Sequence, residues 1–364
     1  MMNIDQRLIH NFDWLWLLAL ILLSGSGLVA IWSVTSATGW DSTLGRHSVY
    51  LCAAIVIFVI LLYFDYHAFA DFVAVGYLLG LAVLVLVLLI GRTVHSNKSW
   101  IYLGSIGIQP SEFMKVVVIV ALAKYYSEVE SDFLGLRELL IGGLIVLMPM
   151  LLVVLQGDLG TAVTFLPIYA SLTLLAGLRR KHMIMFCLAG ILALPAGWMM
   201  LRDYQKSRIE TVLNPSSDPL HRGYQTIQSK IAVGSGRFLG KGFKQGTQSQ
   251  LGFLPARHTD FVFAVISEER GFVGSMTVIG LLLFISLRLL RAAEDAKDRL
   301  GTFVVTGVLA LLVFHSTINI GMVVGLIPIA GIPLPFVSAG GSALLAFFAA
   351  MSLCMNVRLR RFVN

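Results

Sequence analysis

Residues 14–35 read WLWLLALILLSGSGLVAIWSVT, a run with no charged side chain. A helix rises about 1.5 Å per residue, so this run covers roughly 30 Å, the thickness of a bilayer's hydrocarbon core. A helix that is apolar on every face belongs inside a large core or a membrane. Further apolar runs occupy 48–64, 72–91, 110–127, 139–156, 160–177, 182–201, 272–290, 302–325 and 335–357. Together they predict ten transmembrane helices. Composition agrees, because 57% of the 364 residues are hydrophobic and 13% are charged, about half the charged share of a soluble domain. The alternating segments of a β-barrel are absent. The expected fold is an all-α polytopic integral membrane protein, one membrane domain over 1–364. Its first span shows no small-residue cleavage site and reads as uncleaved.

Basic residues near span ends favour the cytoplasm. With the N-terminus inside, the inner segments carry Arg7, Lys124, Arg137, Arg179, Arg180, Lys181, Arg288, Arg291, Lys297, Arg299, Arg358, Arg360 and Arg361. The short outer loops carry only Arg46, Arg92 and Lys98. That asymmetry places both termini in the cytoplasm. It also accounts for the net charge of +7, so nucleic-acid binding is not invoked. Cys52, Cys187 and Cys354 lie on separate apolar runs and read as core residues rather than as a disulfide or metal framework.

Residues 202–260, between the seventh and eighth spans, form a long polar loop on the outer side. Long loops are exempt from the inside rule, so Arg202, Lys206, Arg208, Arg222, Lys230, Arg237, Lys241, Lys244 and Arg257 carry no topological message there. Two readings fit: a solvated face on anionic headgroups, or a site for a phosphate-bearing substrate at the bilayer surface. The loop is rich in Gly, Ser, Gln and Asn, which suits sugars and phosphates. The spacing around Gly240-Lys241 matches neither a P-loop nor a dinucleotide fingerprint.

The loop ends in Arg257-His258-Thr259-Asp260, directly before an apolar stretch. Thr259 or Asp260 in that place suits a helix cap. A carboxylate at the edge of lipid also has its pKa raised toward the range of a general base. Glu268-Glu269-Arg270-Gly271 then interrupts the hydrophobicity, which predicts a short interfacial helix over 258–271 and a span from 272. On that reading Glu268 and Glu269 face an external cavity. Glu112 and Lys115, three apart after Pro110, share one helix face and are placed to pair. An intramembrane pair of this kind serves either function or packing. Asp158 lies in a turn and reads as a cap, and Ser338 to Ser342 are small residues suited to close helix packing.

These motifs together resemble those of the shape, elongation, division and sporulation (SEDS) family of bacterial membrane proteins. The strings that carry the resemblance begin with Gln109-Pro110-Ser111-Glu112-Phe113-x-Lys115, Gln156-Gly157-Asp158-Leu159-Gly160-Thr161 and Leu213-Asn214-Pro215-x-x-Asp218-Pro219. Gly223-Tyr224-Gln225, Gly246-Thr247-Gln248-Ser249, His258-Thr259-Asp260-Phe261 and Phe336-x-Ser338-x-Gly340-Gly341-Ser342 follow in order. The short tails and Gly246 to Ser249 look most like the elongation branch. The resemblance implies a peptidoglycan glycosyltransferase of the bacterial inner membrane. It would polymerise lipid II with a class B penicillin-binding protein and other elongation-complex proteins. It also implies Asp260 as the catalytic aspartate, with Glu112 and Lys115 as a buried supporting pair. Ala256 stands where relatives commonly have Glu, which shifts weight onto Asp260.

The resulting expectation is that Asp260 deprotonates an acceptor hydroxyl. Arg208 and Lys241 stabilise the leaving diphosphate, a role that a divalent cation (Mg or Mn) is also able to share. Gln248, Ser249, His258 and Thr259 complete the substrate site, with Asp158 and Ser338 in support. No ligand cluster in the sequence specifies a metal. A lipid II flippase needs no general base, and a non-enzymatic scaffold needs neither base nor phosphate clamp.

Overall fold

The computed structural model describes residues 12–35, 42–94, 97–104, 106–185 and 222–361, with the isolated positions Leu188, Leu192, Met199 and Lys206. The first helix, α1 (Trp14–Val34), starts behind Asp13, whose carboxylate accepts from the Trp16 N–H at 3.0 Å. Helix α2 (Thr43–Tyr63) starts behind Ser42, whose hydroxyl accepts from the Gly45 N–H at 3.0 Å. It therefore begins before the apolar run does, because a cap rather than hydropathy sets its start. The short α3 (Tyr66–Asp71) and α4 (Val73–Ile90) follow.

A small antiparallel meander comes next: β1 (Arg92–Val94), β2 (Asn97–Leu103) and β3 (Ile106–Ile108). Its register pairs Arg92 with Trp100 and Tyr102 with Gly107. Then come α5 (Pro110–Ser127), α6 (Leu136–Leu155), α7 (Leu159–Val163) and α8 (Phe165–Leu175). After the segment outside the described residues come α9 (Arg222–Ser235) and the one-turn α10 (Thr247–Gln250). The chain closes with α11 (Val262–Glu294), α12 (Arg299–Val323) and α13 (Gly341–Arg360).

Among the described residues, seven helices are long and apolar enough to cross a membrane: α1, α2, α4, α6, α11, α12 and α13. The chain is a mostly helical, multi-pass membrane protein. Three of the ten expected spans differ from expectation. Helix α5 forms, but Glu112, Lys115 and Lys124 make it too polar to count by composition alone. The run 160–177 divides at Thr164 into α7 and α8. The last span begins at Gly341, since 335–340 is an irregular loop. The seventh, 182–201, lies almost wholly outside the described residues.

Helix α13 is the centre of the assembly, with 83% of its apolar window buried, against 11% for α4. Leu78, Leu79, Leu89 and Ile90 of α4 point outward. An apolar exterior around a buried middle is the arrangement that lipid, not water, stabilises. Glycines bring the centre together. A Cβ on Gly27 of α1 would collide with the Val337 carbonyl, and one on Gly341 would collide with the Tyr50 ring.

The helices leave two distinct ends. One gathers Asp13, residues 64–72 and 128–135, and residues 288–299 and 356–361. Asp13 there faces Arg288 at 3.3 Å and Arg358 at 3.2 Å. The other gathers 42–50, the meander, 236–261 and 325–341.

Candidate active site

Helix α11 bends at Gly271, whose φ of 63° and ψ of −156° are open chiefly to glycine. A bend breaks the helical ladder and orphans backbone groups, which in an apolar setting must find partners. The glycine-rich segment before α10 supplies them. Lys241 N–H and Gly242 N–H donate to the Glu268 and Glu269 carbonyls, each at 3.0 Å. Phe272 N–H donates to the Arg237 carbonyl at 2.8 Å, and Val273 N–H to that of Phe238 at 3.2 Å. The approach is so close that a Cβ on Gly236 would collide with the Ser267 carbonyl and one on Gly240 with that of Glu269.

The two carboxylates at the bend also face this loop. Glu268 is fully buried. Its oxygens accept from the Gln248 N–H and Ser249 N–H, each at 2.9 Å, and from Lys241 Nζ at 2.9 Å. An anion thus sits on the N-terminus of α10, where unpaired amides favour it. Glu269 accepts from the Ser33 hydroxyl of α1, from Gln250 Nε2 at 3.2 Å and from Lys244 N–H at 3.2 Å. The expectation that Glu268 and Glu269 face a cavity is corrected: distant backbone amides and Ser33 consume them. The expected break at 271 is met by the kink.

Lys241 is accordingly held in place, giving one N–H to Glu268 and another to the Thr247 hydroxyl at 2.8 Å. Gln248 and Ser249 belong to the same cluster, with Ser249 fully buried. Arg257 links this cluster to the next turn by donating to the Ser249 carbonyl and, at 3.4 Å, to that of Gln250. Arg208 lies outside the described residues.

The Asp260 turn rests on the loop between α12 and α13. Asn319 of α12 donates from Nδ2 to the Asp260 carbonyl at 3.0 Å and to the Ile332 carbonyl at 2.8 Å. Ala339 N–H donates to the His258 carbonyl at 2.9 Å. The turn pivots on Ala256, whose φ of 49° lies in the left-handed region, and its carbonyl accepts from the Thr259 N–H at 3.1 Å. Phe261 occupies the N-cap of α11 and its side chain makes no cap hydrogen bond. The Asp260 carboxylate faces Gly331. Burial first, then the charges of Arg257 and Arg46, hold His258 below the ordinary imidazole value. The lowered value favours the neutral imidazole.

Beneath this loop the Glu112–Lys115 pair forms as expected, at 2.9 Å and almost fully buried. It has a third member that sequence reasoning missed. Lys115 Nζ lies 3.2 Å from His315 Nε2 of α12. An ammonium only donates, so Nε2 accepts and the proton sits on Nδ1, 3.4 Å from the Pro333 carbonyl. The chain Glu112–Lys115–His315–Pro333 ends on the loop that supports Asp260. A histidine alone on an apolar run carried no signal of this.

Asp158 caps α7, accepting from the Thr161 N–H at 3.1 Å, and also accepts from Gln109 Nε2 at 2.7 Å. It thereby joins the first two of the sequence motifs. Ser338 accepts from the Leu334 N–H at 2.9 Å and shapes the same loop. Lys241, Gln248 and Ser249 therefore gather around Glu268, while His258, Thr259 and Asp260 gather on the 331–339 loop, with Arg257 as the bridge.

The model of the FtsW, RodA and SpoVE cell cycle proteins matches residues 13–361. The chain belongs to this family. Its relatives include the Escherichia coli K12 peptidoglycan glycosyltransferase MrdB, 35% identical over 357 residues, covering 97% of this chain and 95% of that one. Stage V sporulation protein E of Bacillus subtilis is 39% identical over 278 residues, covering 76% and 75%. Among solved structures, the chain matches one from work on a peptidoglycan synthase complex that coordinates polymerization and crosslinking. That match has a TM-score of 0.83 at 28% identity and covers 97% of this chain and 99% of that one. The Thermus thermophilus rod shape determining protein RodA matches with a TM-score of 0.73 at 26% identity, over 97% and 98%. The SEDS resemblance of the motifs and the family assignment coincide.

Proposed function

We propose that this protein is a peptidoglycan glycosyltransferase that polymerises lipid II into β-1,4-linked glycan strands for cell elongation. The observation that carries the reading is the Asp260 turn. Its backbone carbonyl is held by Asn319, its carboxylate faces Gly331, and burial lowers the pKa of the nearby His258. Asp260 takes the proton of the acceptor sugar's 4-hydroxyl as that oxygen attacks the donor's anomeric carbon. The bond from that carbon to the lipid diphosphate breaks, and the electron pair leaves with the diphosphate. Attack from the opposite face inverts an α-linked donor to a β bond.

Arg257 and the third N–H of Lys241 stabilise the departing diphosphate, with Arg208 assigned to the same task. Among the described residues no three His, Cys, Asp or Glu side chains converge as a metal site.

The chain crosses the bacterial inner membrane ten times, with both termini cytoplasmic and 202–260 external. The distribution of basic residues supports this orientation. Its partner is a class B penicillin-binding protein, a reading supported by the likeness to the peptidoglycan synthase complex that coordinates polymerization and crosslinking and by family membership. The test is polymerisation of lipid II by the purified protein, with and without that partner. Polymer from the pair is expected. Lipid II translocation without polymer would replace the reading with a flippase, and altered partner activity without polymer would replace it with a scaffold.

A further inference from the structure

Among the described residues two asparagines are buried, one near each end of the assembly, and both bridge loop carbonyls. Asn356 of α13 donates from Nδ2 to the Leu62 and Phe64 carbonyls at 3.0 and 2.6 Å. Its Oδ1 accepts from the Tyr66 N–H at 3.2 Å and from Arg360 Nε at 3.0 Å. Nitrogen and oxygen are both used, which is how a buried amide stabilises a fold. Asn319 of α12 differs. It is fully buried and its Nδ2 serves the Asp260 and Ile332 carbonyls, yet among the described residues its Oδ1 has no hydrogen-bond partner. A buried acceptor left unpaired is costly, so packing alone does not account for the residue. Local costs of this kind collect at functional sites.

What the two N–H groups hold accounts for it. The ladder of α11 begins at the Phe261 carbonyl, which accepts from the Ala264 and Val265 N–H groups at 3.0 and 3.2 Å. The Asp260 carbonyl lies one residue outside that ladder, and Asn319 holds it. The bond fixes the peptide plane that follows Asp260, and with it the direction in which the side chain leaves the backbone. The second N–H fixes Ile332, next to Gly331, and an Asp260 carboxylate oxygen lies 3.9 Å from where a Gly331 Cβ would stand. One planar amide therefore ties the backbone that carries the carboxylate to the floor beneath it. His315, four residues earlier on the same face of α12, bears on the adjacent Pro333 carbonyl at 3.4 Å. A hydroxyl in place of Asn319 would supply one donor instead of two. A glutamine would supply both on a longer and looser arm.

We propose that Asn319 is a positioning residue for glycosyl transfer, setting the aim of Asp260 without touching substrate. The inference rests on the reading of Asp260 as the general base.

The test measures kcat and KM for lipid II polymerisation by wild type, Asn319→Ala, Asn356→Ala and Asp260→Asn. Each is purified with the penicillin-binding partner and assayed well below its melting temperature, with rates taken per folded molecule. Asn319→Ala is expected to lower kcat by about 10- to 100-fold, the scale of a misplaced reacting group, with KM within about twofold of wild type. Asn356→Ala is expected to lower the melting temperature at least as far while kcat stays near wild type. A stable Asn319→Ala protein with wild-type kcat overturns the proposal, and so does an equal fall in kcat for the two alanine variants. If Asn319→Ala does not fold, Asn319→Ser decides. Reduced kcat at unchanged KM then supports the role, whereas full kcat, or a second failure to fold, assigns the residue to the fold alone. Full activity of Asp260→Asn sinks the catalytic reading itself. An inactive Asp260→Asn beside a fully active Asn319→Ala sinks only the positioning role.

Discussion

At the end of the assembly carrying residues 64–72 and 356–361, loops are tied by side-chain charge. At the end carrying Asp260, they are tied largely by backbone. In the first, Asp65 pairs with Arg360 at 3.0 Å, Lys124 with Asp71 at 3.5 Å, and His67 bridges Asp65 and Asp298 at 2.9 and 2.7 Å. In the second, the amides of Lys241 and Gly242 close on the carbonyls of Glu268 and Glu269, and buried carboxylates cap α10 and reach α1. Exposed ion pairs contribute about 0–1 kcal/mol each and weaken with salt. Backbone contacts through glycine tolerate no added atom, and they hold geometry to the tolerance that a reacting group needs. The candidate catalytic aspartate stands at the inflexible end.

The sharpest way to break this comparison is Asp260→Asn. The substitution keeps size and polarity, so the Asn319 contacts to the backbone survive. Polymer output is expected to fall by about 10²–10⁴-fold, the usual worth of a general base, while the melting temperature stays put. Near-normal strands from that stable mutant would return Asp260 to a structural role.

Next in size is the buried triad. Glu112→Ala or Lys115→Ala strands a charge and is expected to cost about 3–5 kcal/mol, with the double mutant less harmed than the sum of the two. His315→Phe is predicted to weaken activity, since it cuts the link to Pro333. Strict additivity of the two single changes in thermal unfolding would show the pair to be uncoupled.

Gly240→Ala tests the clasp itself. Gly240 has φ of 84°, and its Cβ would strike the Glu269 carbonyl, so a loss of about 1–3 kcal/mol is expected. An Arg361→Ala change at the opposite end, removing a pair with Asp295, is expected to cost under about 1 kcal/mol. Equal losses from these two would erase the distinction between the ends.

The smallest effect is that of pH on the charged end. Burial lowers the His67 pKa, but its hydrogen bonds to Asp65 and Asp298 and their charges outweigh this and leave it raised above 6.5. The contribution of His67 is thus fully present below about pH 6.5 and is lost as pH rises through the raised value. Burial raises Asp65 and Asp298, yet their hydrogen bonds and nearby positive charge leave both below 3.8. Their contribution is present above that value and is lost as pH falls through the lowered ones. Tyr66, which donates to Asp298 at 2.8 Å, and Arg360 complete the cluster. A modest fall in melting temperature from pH 6 to 8, absent in His67→Gln, is the expected result; identical slopes in the two proteins would refute it.

Long apolar helices such as α1 and α4 were legible because lipid imposes a length and a composition. The bend at Gly271 was legible because Glu268, Glu269 and Arg270 interrupt hydrophobicity, and the Glu112–Lys115 pair because helical spacing fixes their common face. Other features depend on distant partners. Strands of three residues, such as β1 and β3, are too short for alternation to register. Glu268 and Glu269 looked outward-facing because nothing local reveals that amides at 242–249 would satisfy them. His315 and Asn319 gave no pattern, since each acts through a carbonyl contributed by another element. Asp260 was readable both as cap and as base because a carboxylate just before an apolar helix suits either role, and the backbone places Phe261 rather than Asp260 at the N-cap.

The bend in α11 has a mechanical consequence. A kink whose exposed N–H and C=O groups remained unpaired would behave as a joint, free to flex as solvent or lipid came and went. Here Arg237, Phe238, Lys241 and Gly242 already claim those groups, so the angle is set like a welded elbow. Any displacement of the first half of α11 carries the 236–250 loop with it as one rigid lever, and through Ser33 that lever pulls on α1. Amide hydrogen exchange at Lys241, Gly242, Phe272 and Val273 is therefore expected to proceed at a common opening rate, the signature of one cooperative unit.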